Sequence, residues 1–363
     1  MKNVLVFFGG ESVEHDVSVL TGVITLNALK KSEYNPVPVY VSKKGVFYTG
    51  EELFEVESFK NLNEKKLKQV ALMPCSTALY VIKGNKKKPI LNASVAINCM
   101  HGGAGEDGSL AGLLNFSGIP LASPNVLPSA VCMSKSFTKI FLKGLKINAL
   151  ECRTIYNVKE IYGKDWAFPL IVKPNSQGSS IGIERVENFN ELERAVLNAL
   201  RYSVFVIIEP CLSNFTEINC ACYKCFDEMF VSPCEKPQGA KEVLSFADKY
   251  VSGEREFPAN IKKQTAEKIK NITKKIYSAL ELNGIIRVDF LIDEKGKIFV
   301  NEINTTPGSL AYYLFSETLE EFSSILTDLL KDAEQKFNAQ KTLVKSFSSC
   351  ILDLKGCKSA KRL

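Results

Sequence analysis

The run from Val4 to Phe8, closed by Gly9-Gly10, constrains the fold more than any other segment of the chain. Five apolar residues of strand-forming type are too few for a helix, and they stop at two glycines. A helical pattern follows from near His15, with Val17, Leu20, Ile24 and Ala28 expected to form its buried stripe. This is a β-loop-α unit. A second strand is expected over 37–41 and a third over 93–98, the latter running into another glycine-rich loop. The repeat predicts an α/β sheet open at its loop ends. Residues 1–122 are expected to form a first domain, bounded by Ala122-Ser123-Pro124-Asn125.

At 363 residues and 45% apolar, the chain is long enough for two or three cores. Its 46 Lys+Arg and 40 Asp+Glu are spread without an arginine stripe, which argues against a nucleic-acid partner. The run Lys86 to Lys88 before Pro89 reads as a solvated loop. The start lacks a basic segment, long apolar core and cleavage site, so secretion is not expected. No apolar stretch reaches the roughly 18 to 20 residues of a membrane helix. Eleven irregularly spaced cysteines fit reduced thiols in a cytoplasmic protein. Cys220, Cys222 and Cys225 fit strand thiols better than a metal site, since no further Cys or His pair follows.

Beyond the linker, one helix is expected over 126–143, strands over 170–173, 181–186 and 204–209, and a helix over 190–201. A second long helix is expected over 261–282, with Ile269, Ile272, Ile276 and Leu280 on one stripe. A hairpin follows, turning at Asp293-Glu294-Lys295-Gly296. Residues 339–363 read as a peripheral tail.

That hairpin carries the densest chemistry. Arg287 and Asp289 are two apart on one strand, and Glu302 and Asn304 are two apart on its partner, so each pair shares a face. If the four-residue turn sets the register, 292 faces 297 and 287 faces 302, with Val288, Phe290 and Ile303 on the opposite face. Asp, Glu and Asn are the hard oxygen ligands that Mg²⁺ selects, although a structural ion-pair cluster is the competing reading. The following turn, through Gly308, brings a backbone N–H where it can help Arg287 hold an oxyanion. The loop PNSQGSSIG at 174–182, with Lys173 before it and Ser179 and Ser180 within it, is either a phosphate-covering loop or a plain hairpin. Lys135, Lys139 and Lys249 stand singly in polar surroundings. Both histidines, His15 and His101, lie in glycine loops (GGESVEHD and HGGAGEDGS) and read as loop-ordering groups rather than acid-base groups. Glu14 is placed to receive a substrate ammonium or to cap its helix.

Taken in order, HGGAGEDGS, VKPNSQGSSIG, RVDFLID and NEINTTPGS resemble the ATP-grasp superfamily, and within it the D-alanine-D-alanine ligases, from Val4 to about Leu314. The resemblance implies a three-domain ATP-grasp fold, α/β with an N-terminal open parallel sheet and α+β in the ATP-binding half. Its two later domains would be 123–212 and 213–338, gripping ATP between them. It implies ligation of two D-alanines through a D-alanyl phosphate, for peptidoglycan precursors, with ATP as co-substrate and two Mg²⁺ or Mn²⁺ ions. Glu14 would take the ammonium of the first D-alanine, and Ser179 would link it to Tyr250 of a loop over the site. Arg287 and the Gly308 N–H would hold the oxyanion. Lys135, Lys173, Ser180, Glu209, Lys249 and, with one residue inserted in SNFTE, Glu217 would bind ATP, and Asp289, Glu302 and Asn304 the metal. Relatives of this kind imply a homodimer. Two departures stand out: Tyr313 sits where the family has a serine for the second substrate's carboxylate, and the loop around Tyr250 is short. These leave an acceptor such as D-serine open. A non-catalytic nucleotide-binding regulator is disfavoured, because it would be expected to have lost Lys173, Arg287, Asp289, Glu302 or Asn304.

Overall fold

The computed structural model describes residues 1–237 and 255–349. The first sheet has seven strands. Next to one edge, β1 (Lys2–Gly9) runs parallel to β2 (Tyr34–Val41) on one side. On its other side it runs parallel to a strand at 95–98. Four antiparallel strands extend the sheet beyond β2: β3 (Phe47–Thr49), β4 (Lys68–Met73), β5 (Ser76–Lys83) and β6 (Lys86–Asn92). β7 (Val95–Asn98) then closes the far edge. Lys86 to Lys88 therefore lie in a strand, not a loop. Among the described residues β6 pairs only with β5, and exposed lysines with Pro89 are how an edge strand resists pairing with another chain.

The helix α1 (His15–Leu29) begins where expected, but its single stripe does not hold. Leu20 is 45% exposed, whereas Val17, Val19, Val23, Leu26, Ala28 and Leu29 are all buried. The helix is wedged between the sheet, a 3₁₀ turn at Gly308–Leu314 and the last helix, so it is apolar over most of its circumference. The turn before it depends on Gly9, at φ +89°, where a Cβ would lie 2.3 Å from the Val41 carbonyl oxygen.

α2 (Gly103–Glu106) and α3 (Ser109–Ser117) follow β7. The helix expected over 126–143 is two: α4 (Val126–Met133) and α5 (Lys135–Gly144). Ser134 breaks it with extended backbone, its Oγ accepting from Phe137 N and from Asn175 Nδ2. A four-stranded sheet comes next, β8 (Arg153–Ile155), β9 (Leu170–Pro174), β10 (Glu184–Val186) and β11 (Val206–Pro210), with α6 (Phe189–Ala199) on it. The third sheet holds β12 (Thr216–Cys225) and β13 (Glu228–Val231). After the short pair β14 (Lys236–Pro237) and β15 (Arg255–Glu256), it is completed by β16 (Ile286–Ile292) and β17 (Ile298–Asn304), in the order β13-β12-β16-β17. α7 (Lys263–Ala279) packs Ile269 and Ile276 under it, and α8 (Leu319–Lys341) returns to cover α1.

Cys220 and Cys222 are fully buried in the core beneath the third sheet, as their alternation with apolar neighbours suggests. Among the described residues no helix is long and apolar enough to cross a membrane.

Candidate active site

The hairpin brings its four polar residues together, in a register different from the one its turn suggests. Ile292 pairs with Ile298 across a loop one residue longer than expected. Left alone, that shift would set Arg287 against Ile303 and throw the polar pairs out of step. A bulge between Asp289 and Phe290 absorbs one more residue of β17, so that Asp289 faces Glu302 and Arg287 faces Asn304. Val288, Phe290 and Ile303 lie in the core on the other face, as expected. The residue displaced by the bulge, Asn301, accepts a hydrogen bond from Lys173 Nζ at 3.2 Å.

The ladder continues sideways. Asp289 pairs with Asn219 on β12, and Asn219 bridges to Glu235. Glu235, Asn219, Asp289 and Glu302 thus form one row across the sheet. Each acid in the row has a cation. Arg287 grips both oxygens of Asp289, at 2.6 and 2.8 Å, Lys135 Nζ lies 3.6 Å from Glu302, and Arg255 lies 3.6 Å from Glu235. Burial opposes the charge on Arg287, but Asp289 outweighs it and raises the guanidinium pKa further. Asp289 keeps lone pairs beyond the two that Arg287 uses, and Asn304 Oδ1 accepts from Thr306 N at 3.1 Å. Among the described residues no three His, Cys, Asp or Glu side chains form a ready metal cage. Mg²⁺ does not require one, because it usually combines one or two carboxylates with water and substrate phosphate.

Facing this row across a cavity of about 440 Å³ is Glu14. Ser179 Oγ donates to its carboxylate, and that carboxylate makes no capping bond to α1, which removes the capping alternative. Gly178 is what admits the loop so close: a Cβ there would lie 2.6 Å from Glu14 Oε2 and 2.9 Å from Oε1. Lys135 Nζ ties the loop down by donating to the Gln177 carbonyl at 2.7 Å. Gly308 lines the same cavity, and the neighbouring Ser309 N donates to Thr21 Oγ1 at 2.9 Å. Thr21 Oγ1 in turn lies 2.9 Å from His101 Nε2, and His15 Nδ1 lies 2.7 Å from the Gly10 carbonyl. Both histidines therefore order loops. Burial, with help from Arg287, lowers the His101 pKa to about 4, so its ring is neutral at physiological pH.

A second cavity, of about 360 Å³, lies behind the 174–182 loop and is lined by Lys173, Ser180, Glu209 and Glu217. Glu209 sits between Lys173 and Lys139, 2.8 Å from each. Burial raises its pKa, yet the two ammonium groups outweigh burial and hold it below the usual carboxylate value. Lys135 and Glu217 border both cavities. Tyr250 and Lys249 lie outside the described residues.

Two family models cover most of the chain: the D-ala D-ala ligase N-terminus over residues 3–124 and the D-ala D-ala ligase C-terminus over 147–332. The chain belongs to the D-alanine-D-alanine ligase family. A D-alanine--D-alanine ligase of Thermosipho melanesiensis is 34% identical over 366 residues, spanning 98% of this chain and 99% of the relative. The crystal structure of D-alanine-D-alanine ligase from Helicobacter pylori superposes with a TM-score of 0.77 at 30% identity, covering 92% of this chain and 98% of that one. The VanG D-Ala:D-Ser ligase of Enterococcus faecalis superposes with a TM-score of 0.75 at 26% identity, over 93% and 99% respectively. The family's fold is the α/β architecture described above.

Glu106, Glu235 and Arg255, which line the first cavity, and Lys139, which pairs with Glu209, were not singled out as site candidates from sequence. Lys139 had a signal, since it follows Lys135 by one helical turn on α5 and so shares its face. Glu106 sits within the HGGAGEDGS loop, where its pKa rises to about 7, from burial first and then from Glu14 and Glu302. Glu235 and Arg255 have no local pattern, because strand pairing alone brings them to the row.

Proposed function

We propose that this ligase joins two D-alanines, spending ATP to make a D-alanyl phosphate that the second amine then attacks. The observation that carries the reading is the row Asp289–Glu302 with its cations, facing Glu14 and Ser179 across one cavity. Glu14 binds the first ammonium, and the Ser179 hydroxyl fixes the carboxylate that does so. The second cavity holds the nucleotide, with Glu209 toward its base and ribose, Glu217 between the cavities, and Lys173, Lys135 and the Ser180 loop toward its phosphates. Lys249 and Tyr250 would join from the segment outside the described residues. Asp289, Glu302 and Asn304 offer the oxygen set that Mg²⁺ takes, and a bound ion would supply charge neutralisation at the phosphates. Positioning and charge do most of the work in phosphoryl transfer. When the amine attacks, Arg287 and the Gly308 N–H hold the tetrahedral oxyanion while phosphate leaves.

The deciding assay is phosphate release with ATP, Mg²⁺ and D-alanine alone. Turnover that appears only with a different added amino acid, or not at all, sinks the reading. A second acceptor is favoured by the resemblance, which implies a serine where this chain has Tyr313. D-serine should then compete with D-alanine as acceptor, and mixed-substrate product analysis reads that directly.

A further inference from the structure

Arg255 stands on the wall of the cavity that holds Glu14 and Arg287, and none of the roles above uses it. Its guanidinium carbon lies 4.2 Å from the centre of the Tyr313 ring and 5.9 Å from that of Phe257. Its ion-pair partner is Glu235, at 3.6 Å, well beyond the roughly 2.7–2.9 Å of a charge-assisted bond. The side chain is 38% exposed while Glu235 is 5% exposed, so the cation faces the open cavity from a buried anchor. A planar guanidinium laid on an aromatic face is oriented without spending its in-plane N–H donors, which remain available as a fork. Arg255 is therefore aimed, held loosely and still able to donate.

What the fork would meet follows from the chemistry of the acceptor. The acceptor amino acid brings a carboxylate into this cavity, and Arg255 is a lining cation with donors to spare beside the Tyr313 ring. The ring lies beside Arg287 and under Arg255, and burial raises its pKa, so it stays neutral. We infer that in this chain Arg255, laid on Tyr313 and anchored by Glu235, holds the α-carboxylate of the acceptor amino acid. Tyr313 is the platform that aims it. The acceptor is thereby selected for a free carboxylate by a bidentate cation, the geometry guanidinium recognises best.

This rests on the ligase reading, and the test separates the two. D-alanine and D-alaninamide are supplied together with ATP and Mg²⁺. The amide keeps the attacking amine but lacks the carboxylate, so it serves as acceptor and never as donor. The ratio of D-alanyl-D-alanine to D-alanyl-D-alaninamide, read by mass spectrometry, is independent of how much enzyme is folded. Arg255→Gln should lower that ratio about ten- to a hundredfold, the loss expected for a hydrogen-bonded ion pair to substrate. Arg255→Lys, which keeps charge without the fork, should lower it less. A ratio unchanged within about twofold in both variants, whatever the total yield, overturns the inference. Absence of both products with the unaltered chain overturns the ligase reading and this inference with it.

Discussion

Replacing Gly178 with Ala tests whether the approach of the 174–182 loop to Glu14 is the basis of donor binding. The new Cβ would stand 2.6 and 2.9 Å from the two Glu14 oxygens, short of the 3.4 Å at which ordinary contact begins, so the groups must part by close to 1 Å. Glu14 is only 7% exposed and cannot swing into water to make room. The separation falls on the Ser179–Glu14 bond, and a hydrogen bond to a charged group contributes about 1.5–3 kcal/mol. That corresponds to a rise of roughly ten- to a hundredfold in the D-alanine concentration needed for the first site. Phosphate release against D-alanine at saturating ATP measures it, and the rise in the D-alanine KM should exceed any change in the ATP KM, because Lys173 and Glu209 are untouched while the Glu14 contact is lost. Ser179→Ala removes the same bond without the clash and should give a similar loss. Combining the two should then cost little more than the worse single variant, since both act on one bond. Fully additive losses, or an unchanged D-alanine KM in Gly178→Ala, would refute this account of the loop.

Three further outcomes follow from the site. Glu106 carries a pKa raised to about 7, so the folded chain binds its proton more readily than the unfolded chain between about pH 4.5 and 7. Its contribution to stability is therefore lost as pH rises through that window, and Glu106→Gln should be more stable than the parent by on the order of 1–3 kcal/mol at pH 8 but not at pH 4 in urea unfolding. A difference that does not change with pH would rule the assignment out. Arg287→Ala should cut turnover by about two to three orders of magnitude with nucleotide binding largely kept, and near-normal turnover would discard the oxyanion role. Glu302→Gln should shift the magnesium titration of activity to higher concentration, and an unmoved titration would count against metal ligation.

The sequence predicted elements better than junctions. The opening strand-glycine-helix unit, the stripe of α7 and the shared face of Arg287 and Asp289 all depend on spacing within one element, and all are present. What spacing cannot show is what lies on the other side. α1 was expected to bury one stripe and instead buries most of itself, because α8, some three hundred residues later, covers its outer side. The Lys86 to Lys88 run has the composition of a loop, yet an edge strand exposed on both sides has the same composition. The hairpin is the sharpest case. The shared face was legible, but the register required a longer turn and a bulge, two departures that cancel in parity and leave no local mark. Glu235 and Arg255 join the site only through pairing with Asn219 and Pro237, which no spacing within a single element connects to them.

The row across the third sheet also explains why the cations of this site are not spread evenly around the cavities. Carboxylates directly opposite one another on neighbouring strands repel, as Asp289 and Glu302 must. The fold answers each acid with a separate cation: Arg287 from the same strand, Lys135 from α5 and Arg255 from β15. Two of these three, Arg287 and Lys135, are the groups proposed to meet oxyanion and phosphate. While the acids hold them, they are oriented but partly spent. On the proposed reading Asp289 and Glu302 would hold a divalent ion, whose charge would offset theirs and leave Arg287 and Lys135 available to the anionic substrates. Metal and nucleotide should therefore bind cooperatively, and the coupling should shrink in Glu302→Gln. Nucleotide affinity measured with and without Mg²⁺ reads it, and an equal Mg²⁺ effect in parent and variant would mean that the row is a structural ion-pair network alone.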